Sequence, residues 1–535
     1  WLPGDWDTNE YQWSNCLLSE TTRARAAFFA DPTNDISGKS PAGPTVFQTP
    51  FTMRAADGTH LAIHEAALVG FPAMNISVDP VRFLATTELV PSPDPQACAS
   101  IKPGFKTPWR VVILAENAAG LLESKLILNL NEPCKISEPE DWIRPMKYVG
   151  IWWEMHLNIA GWNYRDKTTG QPTGKHGATT ENAKKYIDFA AANGFGGVLV
   201  EGWNEGWEDW FNTGKEEVFN FTKAYPDYDL DVVSEYAKSK KVKILFHHET
   251  GGAVTSYIRQ QTDAFDFMRK YGSNAVKTGH VMLYSPKGEH HDGQWMVDYY
   301  NKTNMDAAAR KIMVVAHEPV RPTGLQRTWP NFLACEAARG QEFNAWSKGN
   351  PPAHECILPF TRLLGGPMDY TPGIFQVTLE KYGKKERVHT TVAKQLALYV
   401  TLYSPVQMAA DLPENYVGKP EFQFIKDVAV DWDDSKYLEA EPGDFITVAR
   451  KAKGKDNWFV GSITDENART TTVDLGFLDA GKKYTATIYA DADDASYDKN
   501  PAAYKITKQV VDNKTKLTLK LATSGGCAIS LVPVK

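Results

Sequence analysis

A chain of 535 residues exceeds what one hydrophobic core usually holds, so two or three domains are expected, at least one large enough for a barrel or a wide sheet. With 58 basic against 65 acidic residues and a net charge of -7, it offers neither the basic field that nucleic acid requires nor a polybasic patch for anionic membrane. No apolar run is long enough to span a membrane, which leaves neither nucleic acid nor a membrane span among the expected partners.

From Trp1 to about Pro139 apolar alternation is punctuated by turns. "TMRAADGTHLAIHEAALVG" reads as two strands joined at Asp57-Gly58, and "WRVVILAENAAGLLESKLILNLN" reads as a second hairpin. This predicts an antiparallel β domain over 1–140, incomplete at its start. The chain begins at Trp1 without a methionine and without a visible signal peptide, so it reads as a processed product or a fragment, which leaves room for an export signal upstream.

From about Val149 the texture changes. The apolar runs "VGIWWEMH", "GGVLVEGWNE", "VKILFHHET", "AVKTGHVM" and "KIMVVAHE" alternate with amphipathic stretches such as 181–192 and 230–238, and Asn193-Gly194 stands where a helix should stop. Strand and helix in alternation predict a parallel sheet, and the spacing fits a (β/α)8 barrel over 141–435 better than an open nucleotide-binding sheet. "GFGGV" precedes its strand, the wrong order for a phosphate loop. "VQMAADL" reads as the last barrel strand. Beyond about Lys436 the runs "GDFITVARKA", "NWFVGSIT", "KYTATIYADA" and "TKLTLKLAT" predict a C-terminal β-sandwich over 436–535.

Each barrel strand ends in polar residues: Glu154 and His156, Glu201, His247 to Glu249, Lys277, then His317 and Glu318. Active sites of such barrels lie at the strands' C-terminal ends, so this reads as a ring of chemistry rather than as chain ends meeting solvent. Two further acids follow Glu318. Glu336 falls in "WPNFLACEAARG", read as a short helix, and Gly340 is expected to end it so that "QEFNAW" starts the sixth strand with Glu342 near the site. The bland reading is that Glu336 pairs with Arg339 on a helix surface and Glu342 is solvated.

A cluster of glutamates in a partly dry cleft raises one another's pKa. Either one carboxyl keeps a proton and serves as a general acid, as glycoside hydrolysis needs, or a hard cation such as Ca²⁺ neutralises several; the sequence allows both at once. Zinc fits poorly: there is no HExxH, and the six cysteines show no CxxC spacing. Sixteen tryptophans read first as core anchors and secondly as platforms for sugar rings.

The stretches "IHEAAL", "GIWWEMH", "FHHET", "KTGHV", "GEHHDGQWMVDYY", "AHEPVRPTGLQRTWPN", "CEAARGQEF" and "LPFTRLLGGPMDYTPGIF", with "DTNEYQWS" near the start, resemble glycoside hydrolase family 97. That resemblance implies an N-terminal β-super-sandwich, here partial, a central (β/α)8 barrel and a C-terminal β domain. It implies Glu342 as general acid, Glu318 and Glu249 as water-activating carboxylates, Glu201, His247, Lys277 and His317 as sugar contacts, and Ca²⁺ on Glu10, Glu318 and Glu336. The expected activity is exo-hydrolysis of α-gluco-oligosaccharides with inversion, in the periplasm. The family's retaining members carry an aspartate nucleophile at the end of the fourth strand, whereas no acid lies between Val276 and Lys287 here. A retaining α-galactosidase using Glu289 or Asp292, and a non-catalytic glycan binder, stand as alternatives. A homodimer is the oligomer left open.

Overall fold

The computed structural model describes Trp13 and residues 15–24, 45–94, 96–211, 214–281 and 286–534. Six antiparallel strands come first: β1 (Val46–Phe47), β2 (Phe51–Arg54), β3 (His60–Ala66), β4 (Met74–Asp79), β5 (Leu84–Leu89) and β6 (Trp109–Ala115). They form two sheets ordered β1-β4-β5 and β2-β3-β6. The Asp57-Gly58 hairpin forms as the sequence predicts, pairing Phe51 with Ile63 and Arg54 with His60. The second expected hairpin does not. After β6 the chain turns helical over Ala118–Glu123 and Leu126–Asn129, with the Asn117 side chain capping the first helix by accepting from Gly120 N. "AAGLLESKLILNLN" has a single β-branched residue, Ile127, to favour a pleat, and Asn117 sits where a helix cap belongs.

The central domain is a parallel barrel of β7 (Met146–Ile151), β8 (Gly197–Val200), β9 (Lys243–Glu249), β10 (Ala275–Gly279), β11 (Met313–Ala316), β12 (Phe332–Cys335) and β13 (Val406–Met408). Their order is β12-β11-β10-β9-β8-β7-β13. The gap between β12 and β13 is closed by an irregular eighth stave: Cys335 bridges Met368 in parallel, Met368 N donates to Tyr403 O at 3.1 Å and Asp369 N to Cys335 O at 3.2 Å. Prolines 367 and 372 bracket this segment and deny it a regular ladder. All residues of β8, β11 and β12 are buried, as expected for strands covered on both faces.

The C-terminal strands β14 (Trp432–Glu441), β15 (Phe445–Ala452), β16 (Trp458–Thr464), β17 (Arg469–Asp474), β18 (Tyr484–Asp491), β19 (Tyr504–Val511), β20 (Lys516–Leu521) and β21 (Gly526–Pro533) form a six-stranded sheet and the β17-β20 pair. Val460, Val473, Leu519 and Leu531 pack in the core between them. Among the described residues no helix is long and apolar enough to cross a membrane.

The N-terminal sheets are pinned to the barrel by a buried guanidinium. Arg321, in the loop after β11, donates to Asp292 and to Met74 O, to Thr49 Oγ1 at 3.2 Å and to Asn75 Oδ1 at 3.3 Å, with Glu65 Oε1 3.6 Å away. Glu65 in turn accepts from Arg110 at 2.7 Å. Removing one member of such a buried set leaves uncompensated charge, so Arg321→Leu should lower the unfolding free energy by about 3–5 kcal/mol. Denaturant titration checks this; an unchanged midpoint would show that the contact carries no load.

Candidate functional site

A cavity of about 560 Å³ opens at the C-terminal mouth of the barrel. Glu201, His247, Glu249, Lys277, His317, Glu318, Glu336 and Glu342 all line it. Strand register explains this convergence. His247 pairs with Lys277 and Glu249 with Gly279 across β9 and β10, so those side chains share the inner face, while His248 alternates outward to Tyr257 OH at 2.9 Å. Glu154 also departs from the expected ring. It lies in the short helix Trp153–His156 that follows β7, and its carboxylate accepts from Asn182 Nδ2 at 2.7 Å and Tyr186 OH at 3.1 Å, away from the cavity.

Glu336 follows β12 directly rather than lying in a helix, and Glu342 precedes the short helix Phe343–Trp346 rather than a sixth strand. A fully buried four-residue strand has no polar alternation, so its apolar run is read as readily as a helix. Either way both carboxyls reach one place: a methyl added at Gly340 would meet Glu342 Oε2 at 2.8 Å and Glu336 Oε1 at 3.1 Å. Left-handed backbones follow β11 at Glu318 (φ 45°), β12 at Ala337 (φ 55°) and the irregular stave at Thr371 (φ 58°). Such conformations cost energy in non-glycine residues and turn the chain sharply at the barrel mouth.

The charges divide into two groups. Glu201 Oε1 lies 3.1 Å from Lys277 Nζ and 3.7 Å from His247 Nε2, and Oε2 accepts from Trp162 Nε1 at 3.0 Å. Burial pushes the Glu201 carboxyl up, but His247, Lys277 and Trp162 outweigh it and hold the group down at about 2. Burial works against the Lys277 ammonium, yet Glu201, Asp369 and Glu336 keep its pKa raised. His247 is pushed down by burial to about 4 and His156 to about 3, so both are neutral hydrogen-bonding groups near pH 7.

The second group is a set of crowded acids. Glu249 Oε1 accepts from Thr250 N at 3.0 Å, Gly251 N at 2.7 Å and Val281 N at 3.1 Å, while burial and the neighbouring Glu318 still drive its pKa well up. Glu318 Oε2 accepts from His280 N at 2.8 Å and is raised chiefly by burial. Glu342 is raised by burial too, against the pull of His317 and Lys277. His317 bridges Glu336 Oε2 at 3.1 Å and Asp369 Oδ2 at 2.8 Å.

One ligand atom each of His317, Glu318 and Glu336 lies within 4.8 Å of the others. Both imidazole nitrogens of His317 are already engaged by carboxylates, so the oxygens of Glu318 and Glu336 are the natural donors, and oxygen donors suit a hard cation. Glu10 lies outside the described residues.

Sequence reasoning missed Asp369, which orients His317 and accepts from Tyr148 OH at 3.1 Å. Its stave lacks a strand pattern, although "MDY" stands among the stretches that carry the family resemblance. It also left Trp162, Trp207, Trp210, Trp346 and Lys384 unassigned. Trp207 stacks on His247 with centroids 5.7 Å apart, and Trp162 stacks on Trp207 at 6.2 Å, building one wall of the cavity. The aromatic-rich loop "EGWNEGWEDWF" was the available signal.

An aromatic-walled pocket at a barrel mouth, with neutral imidazoles beside several raised carboxyls, defines a barrel glycosidase. The comparisons name the family. The N-terminal domain of glycoside hydrolase 97 matches residues 1–133, the glycoside hydrolase 97 domain 152–338, and the C-terminal domain, described as serving oligomerisation, 431–532. The chain is 43% identical to a family 97 enzyme of Pseudoalteromonas sp. strain K8 solved with acarbose, with a TM-score of 0.90 over 100% of this chain and 78% of that one. A variant of the same enzyme, solved with panose, gives 0.89 at the same identity and coverage. A retaining alpha-galactosidase of Bacteroides thetaiotaomicron is 29% identical over 90% of this chain and 71% of its own length. The chain belongs to glycoside hydrolase family 97 and is a glycoside hydrolase.

The Glu201 pair has a pH signature. Because its folded pKa is depressed, its contribution to stability is full above the ordinary value of 4.5 and fades as pH falls towards about 2. Glu201→Gln should therefore be less stable than the parent at pH 7, with the difference shrinking below about pH 4.5. Chemical denaturation across pH 2 to 7 measures it; a constant difference over that window would contradict the pairing.

Proposed function

We propose that the protein is an exo-acting α-glucosidase that releases glucose from the non-reducing end of α-gluco-oligosaccharides with inversion and with Ca²⁺ as cofactor. The observation that carries the reading is at Gly279, the end of the fourth barrel strand. A methyl built there would meet Glu249 Oε2 at 2.0 Å and Glu318 Oε2 at 3.4 Å. The place of a nucleophilic side chain is thus taken up by two carboxylates from neighbouring strands. Two acids sharing one space hold a proton between them to higher pH than either would alone, and the ionised member can accept a proton from water.

Burial raises the Glu342 carboxyl above its ordinary value, as suits a general acid, and it gives its proton to the glycosidic oxygen. Glu318 or Glu249 takes the proton of a water that attacks the opposite face of the sugar. Glu201, His247, Lys277 and His317 hold and orient the sugar hydroxyls, and the tryptophan wall excludes bulk water. Glu318 and Glu336, with Glu10 by family resemblance, would hold Ca²⁺, which when bound supplies a fixed positive charge among the acids. The acarbose and panose complexes of the 43% identical enzyme support α-linked glucose as the substrate sugar.

The curated relatives favour a second reading, retaining α-galactosidase. It lacks a nucleophile at this strand end. Asp292 is engaged by Arg321 and His291, and neither it nor Glu289 lines the cavity.

Proton NMR of the first product from an α-glucoside decides between them. The β-anomer of glucose should appear first; the α-anomer would overturn the inverting assignment. Nitrophenyl α-glucoside should be cleaved with higher kcat/KM than nitrophenyl α-galactoside, and the reverse order would overturn the sugar assignment.

A further inference from the structure

The helix Val392–Thr401 is buried along its whole length. One side packs so closely on the C-terminal sheet that a methyl at Gly461 in β16 would lie 2.6 Å from Ala397 O. Two consecutive residues of this helix, Lys394 and Gln395, reach into the barrel, and both arms end on the segment that carries Glu342.

The first arm starts in the C-terminal domain. Lys394 Nζ donates to Thr464 O at 3.0 Å and Ser524 Oγ at 3.2 Å, and lies 3.3 Å from Glu355 Oε2. Glu355 Oε1 accepts from Tyr370 OH at 2.6 Å. Asn350 Nδ2 donates to Tyr370 OH at 3.4 Å and to Gly340 O at 2.8 Å, two residues before Glu342. Asn350 N also donates to Asn344 Oδ1 at 2.9 Å, two residues after it. The second arm is shorter. Gln395 Oε1 accepts from Gln341 Nε2 at 2.8 Å, while Gln341 Oε1 accepts from Asn344 Nδ2 at 2.9 Å. The residues on either side of Glu342 are thereby held from both directions by one helix.

We infer that the Val392–Thr401 helix, seated on the C-terminal β domain, is the device that positions Glu342 for proton transfer, with Gln395, Lys394, Glu355 and Tyr370 as positioning residues. The C-terminal domain then belongs to the catalytic machinery in addition to the assembly role that its family description names. The short helix after Glu342 spans only Phe343–Trp346 and could not fix a carboxyl by itself. Buried hydrogen bonds rigidify the segment they hold, and misplacing a reacting group by about 1 Å costs up to roughly 100-fold in rate.

This inference rests on Glu342 being the general acid, and the test separates the two. An α-linked diglucoside needs its leaving oxygen protonated, whereas α-glucosyl fluoride needs far less help. Full-length Glu342→Gln, Tyr370→Phe and Gln395→Met are assayed on both, with thermal unfolding measured alongside. Tyr370→Phe removes one hydroxyl and keeps the ring, so it remains informative if Gln395→Met does not fold. The expected result is that Glu342→Gln loses activity selectively on the diglucoside, and that Tyr370→Phe lowers kcat on it about 10-fold, with KM unchanged and less than about 2-fold effect on the fluoride. If Glu342→Gln is selective and Tyr370→Phe reduces both substrates equally, or neither, the positioning role is overturned. If Glu342→Gln itself shows no selectivity, the assignment of Glu342 as acid fails, and the positioning role falls with it.

Discussion

Four buried carboxyls at one barrel mouth cannot all be ionised without compensation, and the rest of the site is arranged around that constraint. Glu249, Glu318, Glu336 and Glu342 line one cavity of about 560 Å³. The Lys277 ammonium is bonded to Glu201, which is held at about 2 and stays charged throughout the physiological range. The pair therefore nearly cancels itself, leaving the other acids to be relieved by protonation, by backbone N–H donors or by a cation. Two of these are seen directly, in the raised carboxyls and the three amides on Glu249 Oε1; the oxygen-rich corner at Glu318 and Glu336 is where the proposed cation would supply the third.

The fold makes this crowding affordable. Parallel register sets alternate residues of β9 and β10 on the inner face, so His247, Glu249 and Lys277 arrive together without any loop having to place them. The loop that carries Glu318 is fixed three residues later by Arg321, which bonds to the N-terminal sheets, while the segment bearing Glu342 is held from the C-terminal side. Each flanking domain thus packs against an element bonded to a segment that carries a site residue. Gly279 completes the arrangement by its missing side chain, since any Cβ there would displace the Glu249 carboxyl.

Much of this was legible in the sequence where local pattern and chemistry coincide. Barrel strands such as "KILFHHE" and "MVVA" are short apolar runs that end in ionisable residues or are followed at once by them, and the Asn193-Gly194 stop falls where the helix Thr180–Ala192 ends. The failures have physical causes. β12 is buried on all four residues and carries no period to read, so Glu336 was assigned to a helix. Asp369 sits on a proline-bracketed stave whose hydrogen bonds are scattered, and no strand signal survives there. His248 and Glu154 look like site residues by position, yet strand alternation turns one outward and a short helix turns the other towards Tyr186. The fate of such residues depends on which face of an element they occupy, which residue type alone does not encode.

Under the proposed function, a hard cation and protons compete for the same crowded acids. That claim is tested most directly by calorimetric titration of the metal-stripped protein with Ca²⁺ at pH 7, repeated in buffers of different ionisation enthalpy. Burial raises Glu318, and burial together with the neighbouring Glu318 raises Glu249, so cation binding should expel protons and the observed heat should vary with the buffer. Saturable binding whose heat is independent of the buffer, or no binding at all, would contradict the claim.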